Sequence, residues 1–236
     1  CLKYCVNKII GRFFKCFTDK FILVSNGELK LGKSLHFLSI DKSVVIYNAV
    51  SDNGLKFSRK DQKFLVISLS RFDYQKNMDM AYRIAKALKN NHEIEFVWVG
   101  DGEDFLRLKQ KSVEEGVNIN FIGFTECPMA YLKNADLYLS TSRFEGLPYA
   151  LIEAASVGLP IVATDVIGNN EVVHHNYNGL LFKAEQTAID EIKTLSMNTD
   201  LLNKYSINSR EFYLKSFTIE KMISSIVDMY TQVLNQ

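Results

Sequence analysis

Cysteine and proline are scarce in this sequence, which has four cysteines and three prolines in 236 residues. Cys1 and Cys5 lack zinc-ribbon spacing and no second pair follows them, so a zinc ribbon is not indicated. So few cysteines in a chain of this length favour a reducing compartment. No apolar run approaches the roughly 18 residues that a membrane span needs, and no secretory signal is visible at the start. Because the first residue is not Met, we expect a piece of a longer protein.

An excess of charge of one sign is also lacking. The chain has 28 Lys and Arg residues against 27 Asp and Glu residues, a formal net charge of +1. No overall field therefore points to nucleic acid or an acidic polymer as a partner. What is present is apolar: 47% of the residues are hydrophobic, enough for one well-buried α/β domain with part of a neighbour. The same composition argues against disorder.

The first third of the chain has a mixed pattern. Residues 3–17 have helical periodicity, with an aromatic and aliphatic face opposite a basic one. This stripe either packs into another part of the protein or contacts an anionic membrane surface, and packing is favoured because such stripes usually belong to a core. A strand at 21–25, a helix at 28–38 and a strand at 44–47 follow. The polar segment at 51–63 is typical of a linker.

From residue 64 onward, short apolar strands alternate with single helices. Strands are predicted at 64–70, 94–99, 119–122, 137–141, 160–164 and 179–182. Helices are predicted at 77–90, 103–116, 128–134, 148–157 and over most of 185–234. Apolar strands separated by helices indicate a doubly wound, Rossmann-like α/β fold with a parallel sheet and helices on both faces.

Ligands of open parallel sheets bind beyond the carboxyl ends of the strands, and two cations follow the strand at 64–70. Arg71 comes directly after it and Lys76 five residues later, near a predicted helix start. Two cations at one strand end suit a diphosphate. A cation near a helix N-terminus is unfavourable, and a bound anion would explain it. Taken alone, a pair of solvated surface charges is an equally good interpretation.

The next two strand ends are less specific. Gly100 and Gly102 allow a tight turn, but Phe105 replaces the third glycine of a dinucleotide-binding motif. A plain strand-to-helix turn is therefore the better interpretation, and a hydride-transfer dehydrogenase is disfavoured. Phe124 and Thr125 could border a nucleobase, although by themselves they indicate only a loop.

The stretch at 143–153 is the most informative. Pro148 suits the first turn of a helix, and Gly146 and Leu147 leave free N–H groups ahead of it, which predicts an anion site. Glu145 lies in the loop and Glu153 within the helix, so we expect the two carboxylates to reach different parts of one ligand. A carboxylate beside a phosphate is costly, and binding sugar hydroxyls would justify Glu145. The alternative for Glu153 is a solvated helix residue.

In this order, these stretches resemble the C-terminal domain of GT-B-type retaining glycosyltransferases of family 4, the group 1 transferases, over residues 18–233. Arg71 and Lys76 resemble the family's Gly-Arg-Leu…Lys-Gly phosphate clamp, and Glu145 with Glu153 its Glu-x7-Glu signature. Two positions depart from the pattern, because Ser70 and Asn77 stand where the family usually has glycine. In the Gly-Gly-x-x-Glu element after the strand at 160–164, Gly168 and Glu171 are kept.

The resemblance implies transfer of a sugar from a UDP-sugar or GDP-sugar to a saccharide or lipid-linked acceptor, with retained anomeric configuration. It places Arg71 and Lys76 on the phosphates, Glu145 on the donor sugar and Glu153 on the ribose. The other donor-binding residues that it implies are Ser70, Gly100, Phe124, Thr125, Gly146, Leu147, Pro148 and Tyr149. No cofactor is expected, and no metal requirement either, because the sequence has no D-x-D motif.

The resemblance also implies the organisation of the chain. Residues 1–50 would be a remnant of an acceptor-side domain, 51–63 a linker, 64–215 the nucleotide-sugar-binding domain and 216–236 a C-terminal helix. We expect a cytoplasmic enzyme of surface polysaccharide or glycolipid biosynthesis, with contact at the inner face of the membrane left open. The alternatives are a non-catalytic sugar-nucleotide-binding module and another GT-B-fold enzyme, such as a sugar-nucleotide epimerase. The clamp and the Glu-x7-Glu spacing argue against the epimerase.

Overall fold

The computed structural model describes residues 17–52, 54 and 63–235. The predicted helix at 3–17, apart from its last residue, and most of the predicted linker at 51–63 lie outside these residues.

The segment before the linker forms a small unit of its own. It comprises β1 (Phe21–Leu23), α1 (Asn26–Ser34), a 3-10 turn (Ile40–Lys42) and β2 (Ser43–Val45), and the two strands pair in parallel. Ser25 caps α1, because its hydroxyl accepts a hydrogen bond from the Glu28 amide at 3.1 Å. The helix ends four residues earlier than predicted, since His36 adopts a left-handed backbone with φ of 60°.

The main sheet confirms the predicted α/β class. Its strands are β3 (Phe64–Leu69), β4 (Ile94–Val99), β5 (Ile119–Gly123), β6 (Leu137–Ser140), β7 (Ile161–Thr164) and β8 (Gly179–Phe182). They are all parallel, in the order β5-β4-β3-β6-β7-β8. Successive strand residues face opposite sides of the sheet, so Val66 joins one hydrophobic core and Ile67 the other. Two buried faces explain why the strands are apolar without alternation.

Helices cover both faces of the sheet. They are α2 (Met78–Ala87), α3 (Phe105–Glu115), α4 (Pro128–Leu132), α5 (Tyr149–Ser156), α6 (Asn169–Val172), α7 (Glu185–Met197), α8 (Thr199–Ser216) and α9 (Ile219–Leu234). Pro148 lies just before α5 as its N-cap, in extended backbone, and not inside the first turn as predicted. None of the helices in the described part of the chain is long and apolar enough to cross a bilayer.

The strand order reverses between β3 and β6, and the two strands separate there. Their last paired residues are Ile67 and Tyr138. Beyond this pair of residues, side-chain hydrogen bonds take the place of backbone pairing between β3 and β6. The Tyr138 hydroxyl donates to the Leu69 carbonyl at 2.8 Å, and the Ser68 hydroxyl donates to the Leu139 carbonyl at 2.9 Å. The separation opens a crevice at the carboxyl edge of the sheet, the usual place for a ligand in this class of fold.

Gly100 ends β4 beside this crevice. Its φ is +127°, and a Cβ atom built there would lie 1.9 Å from the Ser70 carbonyl oxygen. Only glycine therefore lets the backbone after β3 approach the backbone after β4 so closely. This confirms the interpretation of the segment as a strand-to-helix turn.

Candidate functional site

A cavity of about 490 Å³ opens at the carboxyl edge of the sheet, next to the point where β3 and β6 separate. Its lining combines the turn after β3, the start of α5 and the segment before the linker. The lining residues are Val24, Asn48, Leu69, Ser70, Lys76, Glu145, Gly146, Leu147, Pro148, Tyr149, Ala150 and Glu153. The structure thus brings together eight of the twelve site residues that the sequence predicts.

An ion pair forms the floor of this cavity. Lys76 Nζ lies 2.6 Å from Glu145 Oε1, and the two side chains are 19% and 6% exposed. The second carboxylate oxygen of Glu145 accepts from Gln75 Nε2 at 3.2 Å. Gln75 also donates to the Phe144 carbonyl at 3.1 Å. Both oxygens of the buried carboxylate are therefore held, which fixes its position in the cavity.

Arg71 differs from Lys76. Its side chain is 70% exposed and pairs with Asp73 at 3.1 Å, outside the cavity lining. An exposed pair of this kind contributes little to stability. Arg71 is therefore a solvated surface charge in this structure, whereas the Lys76 side chain is mostly buried and is paired with a carboxylate.

The start of α5 presents unpaired backbone amides to the cavity. Pro148 is the N-cap and supplies no side-chain cap. The amides of Gly146, Leu147, Tyr149 and Ala150 donate to no other residue in the part of the chain that the structure describes. Free amides at the positive end of a helix are typical of anion-binding sites. The amides that the sequence analysis singled out are therefore free, and anion binding to them stays a prediction.

Glu153 lies on α5, half-buried, in the same cavity. Burial raises the pKa of its carboxyl above the usual 4.5. No hydrogen bond joins this carboxyl to another of the described residues. Its burial is inconsistent with a merely solvated helix residue, and its lone pairs are available to a ligand.

The remaining predicted residues lie outside this cavity lining. Phe124 is 77% exposed, and the Thr125 hydroxyl accepts from the Cys127 amide at 3.1 Å. Gly100 packs against the Ser70 backbone. The donor-binding roles of these three residues stay predictions.

Three residues that surround the site were missed from the sequence. Gln75 holds Glu145, Asn48 Nδ2 donates to the Leu147 carbonyl at 2.7 Å, and the Thr141 hydroxyl donates to the Lys76 carbonyl at 3.0 Å. Gln75 directly precedes Lys76, Asn48 directly follows the strand predicted at 44–47, and Thr141 directly follows β6. These positions are visible in the sequence, but the partners of the three side chains follow only from the tertiary structure.

The two departures from the family pattern have different structural outcomes. Asn77 has a left-handed backbone, with φ of 52° and ψ of 48°. This explains a preference for glycine there, and Asn tolerates the conformation better than most side chains. Ser70 has no positive φ, and its hydroxyl donates to Met78 Sδ at 3.0 Å. A serine is therefore accommodated without backbone strain.

The chain thus has a doubly wound α/β domain, with a buried Lys–Glu ion pair and free helix amides at the switch point of its open parallel sheet. A family model described as "Glycosyl transferases group 1" matches residues 53–212, more than half of the chain. This chain belongs to that family.

Two curated relatives are about 30% identical to this chain in sequence. The UDP-Gal:alpha-D-GlcNAc-diphosphoundecaprenol alpha-1,3-galactosyltransferase of Escherichia coli is 32% identical over 184 residues, covering 74% of this chain and 47% of the relative. The capsular polysaccharide biosynthesis glycosyltransferase CapH of Staphylococcus aureus is 30% identical over 177 residues, covering 70% and 48%. The chain thus spans about half the length of these relatives.

Solved structures show the same fold. The crystal structure of Anabaena HepE in complex with UDP-glucose matches with a TM-score of 0.86 and 21% identity, covering 95% of this chain and 67% of that one. At this identity the likeness shows the fold alone. The fold prediction, a Rossmann-like domain of the GT-B type, is confirmed.

Proposed function

We propose that this chain forms the donor-binding half of a glycosyltransferase that takes its sugar from a nucleoside-diphosphate sugar. The observation that carries the proposal is the Lys76–Glu145 pair beside the free amides at the start of α5. One cation, several amides and two carboxylates in one cavity provide partners for a diphosphate and for sugar hydroxyls at once. The relative named for UDP-Gal and the neighbour solved with UDP-glucose support this ligand class.

Lys76 and the loop amides would bind the diphosphate. An ammonium group has three N–H donors, and Glu145 uses one of them, which leaves two for phosphate oxygens. The amides of Gly146, Leu147 and Tyr149 would add short charge-assisted hydrogen bonds. Arg71 would exchange Asp73 for phosphate when the donor binds, because its exposed side chain is free to move.

The two carboxylates would orient the donor. Glu145 would accept from hydroxyls of the sugar through the lone pairs that Lys76 and Gln75 leave free. Glu153, whose carboxyl has no hydrogen-bond partner among the residues that the structure describes, would accept from the ribose diol. In the reaction the bond between the anomeric carbon and the diphosphate oxygen breaks, and the acceptor oxygen bonds to that carbon and loses its proton. Lys76, Arg71 and the amides would stabilise the negative charge that develops on the diphosphate.

The acceptor and the stereochemistry are also part of the proposal. The names of the two curated relatives support a saccharide or lipid-linked acceptor in surface polysaccharide or glycolipid biosynthesis. A cytoplasmic location is part of the proposal and comes from the family resemblance. Retention of the anomeric configuration follows from the Glu-x7-Glu resemblance. A lipid-linked acceptor would bring the protein into contact with the inner face of the membrane.

Calorimetric titration with UDP, GDP and their sugar conjugates tests the proposal. The wild type is expected to bind one of the two diphosphates, and Glu153→Ala is expected to lose most of that affinity. Glu114→Ala is the matched control, because this glutamate is exposed near the C-terminal end of α3 and is not among the residues that line the cavity. If wild type and Glu153→Ala bind equally, the site assignment is wrong. Binding without any sugar transfer to acceptors would instead support a sugar-nucleotide-binding module.

A further inference from the structure

Glu171, on the short helix α6, holds the segment that precedes the linker. Its Oε1 accepts from the Gly27 amide at 2.6 Å. Its Oε2 accepts from the Asn26 amide at 2.8 Å, from Asn26 Nδ2 at 3.0 Å and from the Tyr47 hydroxyl at 3.0 Å. All four donors belong to residues more than a hundred positions earlier in the chain.

This contact places a carboxylate at the N-terminus of α1. The first helical amides are those of Asn26 and Gly27, so Glu171 satisfies donors that have no partner within the helix. Burial, with the Glu171 hydrogen bond as the next cause, raises the pKa of Tyr47 to about 12. Besides burial, the shift reflects the hydrogen bond that the Tyr47 hydroxyl donates to the Glu171 carboxylate.

The segment that Glu171 holds also touches the loop at the start of α5. Asn48 follows Tyr47 directly and donates to the Leu147 carbonyl at 2.7 Å. On α1, Glu28 Oε1 lies 2.7 Å from where a Cβ of Gly146 would stand, so its carboxylate packs against the Gly146 backbone. Two separate contacts thus run from the held segment to the Gly146–Leu147 backbone, whose amides are proposed to bind the diphosphate.

The turn before α6 also contacts this loop. Gly168 has φ of +85°, and a Cβ there would lie 2.4 Å from the Gly146 carbonyl oxygen. The Gly146–Leu147 backbone is therefore contacted by Gly168, by Glu28 and by Asn48. Movement of α1 relative to α6 would change these contacts.

We propose that Glu171 is a positioning residue, which fixes Glu28 and Asn48 against the Gly146–Leu147 backbone and so sets the loop amides for the diphosphate. The proposal rests on the proposed function for the identity of the ligand. It predicts an effect on the outer phosphate of the donor and not on the nucleoside, because Glu153, proposed to bind the ribose, has no hydrogen bond to the described residues of the Glu171 junction.

The test compares nucleoside diphosphate with nucleoside monophosphate binding in this protein. Dissociation constants are measured for UDP and UMP, and for GDP and GMP, in wild type and in Glu171→Gln. The glutamine has the same shape but turns an N–H group toward donors. We expect the preference for diphosphate over monophosphate to fall about tenfold, as the loss of one charge-assisted hydrogen bond predicts, while monophosphate affinity is unchanged. If Glu171 only stabilised the fold, Glu171→Gln would lower the affinities for diphosphate and monophosphate by the same factor.

Asn170→Ala is the matched control, since Asn170 is exposed on the same helix and its side chain makes no hydrogen bond to α1. It should keep the diphosphate preference. Tyr47→Phe is the milder second variant, because it removes one donor to Glu171 and retains the ring that packs 5.4 Å from Phe217. It should lower the preference by a smaller factor.

A ligand-free measurement separates this proposal from the proposed function. In amide NMR spectra, Glu171→Gln should shift the Gly146 and Leu147 signals, and Asn170→Ala should leave them in place. If wild type binds neither diphosphate, the donor-site proposal fails and these signals alone decide the positioning role. Folded Glu171→Gln with unshifted loop signals, or with an unchanged diphosphate preference where binding occurs, would overturn it.

Discussion

Lys76 Nζ and Glu145 Oε1 lie 2.6 Å apart and join two turns whose residues are 69 positions apart in the sequence. The carboxylate is almost fully buried, so its charge requires this partner. The pair also explains why a carboxylate can stand beside free helix amides that would attract a phosphate. It is neutralised before the ligand arrives.

Removing one member of this ion pair should lower the free energy of unfolding more than removing both members. Lys76→Met leaves a buried carboxylate without its cation and is expected to destabilise the fold by about 3 kcal/mol. Adding Glu145→Gln to that variant should recover much of the loss, because no buried charge remains. Urea unfolding of the two single variants and the double variant measures the coupling. Additive losses would show that the two side chains do not depend on each other.

Donor affinity should fall on mild acidification because of Glu153. Burial raises the pKa of this carboxyl above 4.5, so it becomes protonated at a higher pH than an exposed glutamate and then accepts poorly from the ribose diol. Titration of a nucleoside-diphosphate sugar at several pH values between about 7.5 and 5 tests this, since its diester-type phosphates do not titrate there. Glu153→Gln should bind weakly and without this pH dependence. Equal pH profiles for wild type and variant would contradict the assignment.

The Glu171 junction should weaken in acid. Burial alone would raise the pKa of Glu171, but the hydrogen bonds from Asn26, Gly27 and Tyr47 outweigh it and lower the pKa below 4.5. A lowered folded-state pKa means stability that is present above pH 4.5 and is lost as the pH falls through the folded-state value. Glu171→Gln should therefore be less stable than wild type by about 2 kcal/mol at neutral pH. Unfolding free energies should converge below pH 4.5, whereas a constant difference would argue against the ionised junction.

Asn77 is expected to tolerate glycine and not alanine. Its φ of 52° is strained for a side chain, and its buried Oδ1 has no hydrogen-bond partner among the described residues. Asn77→Gly relieves both costs and should be at least as stable as wild type. Asn77→Ala keeps the strained backbone and should lose about 1 kcal/mol. Thermal unfolding of the two variants decides between this account and a requirement for the amide group.

Sugar transfer is expected to continue in the presence of a chelator. The prediction comes from the absence of a D-x-D motif and from the cations and amides that can neutralise a diphosphate. Initial rates with and without EDTA measure it, and added Mg²⁺ or Mn²⁺ serves as the control. Complete loss of activity with EDTA, restored by either ion, would show that the prediction is wrong.

Local pattern was sufficient to locate most of the main sheet. The strands Ile94–Val99 and Gly179–Phe182 have the predicted bounds, because each is an apolar run flanked by glycine or polar residues. The end of α1 was mispredicted, since the left-handed backbone of His36 has no clear signature in the sequence. Pro148 as an N-cap is a shift of one residue, which is the usual uncertainty of a helix start.

The candidate site was only partly predictable for a different reason. Glu145, Glu153 and Lys76 follow strands whose carboxyl ends must meet in a parallel sheet, so their convergence could be inferred. Gln75 on Glu145 and Asn48 on Leu147 could not, because such contacts depend on side-chain direction across neighbouring turns. Arg71 shows the converse, since the sequence groups it with Lys76 and the structure pairs it with Asp73.

The sequence by itself determined the fold class of this protein, because apolar strands separated by helices specify a parallel sheet. The residues after those strands predict an anionic ligand at the carboxyl edge of that sheet. The tertiary structure decided which of those residues are charged partners of one another and which are exposed. It also decided that Glu171 holds α1 across more than a hundred residues of sequence. Burial and hydrogen-bond pairing depend on distances in space, and a linear pattern specifies these only where the chain is locally periodic.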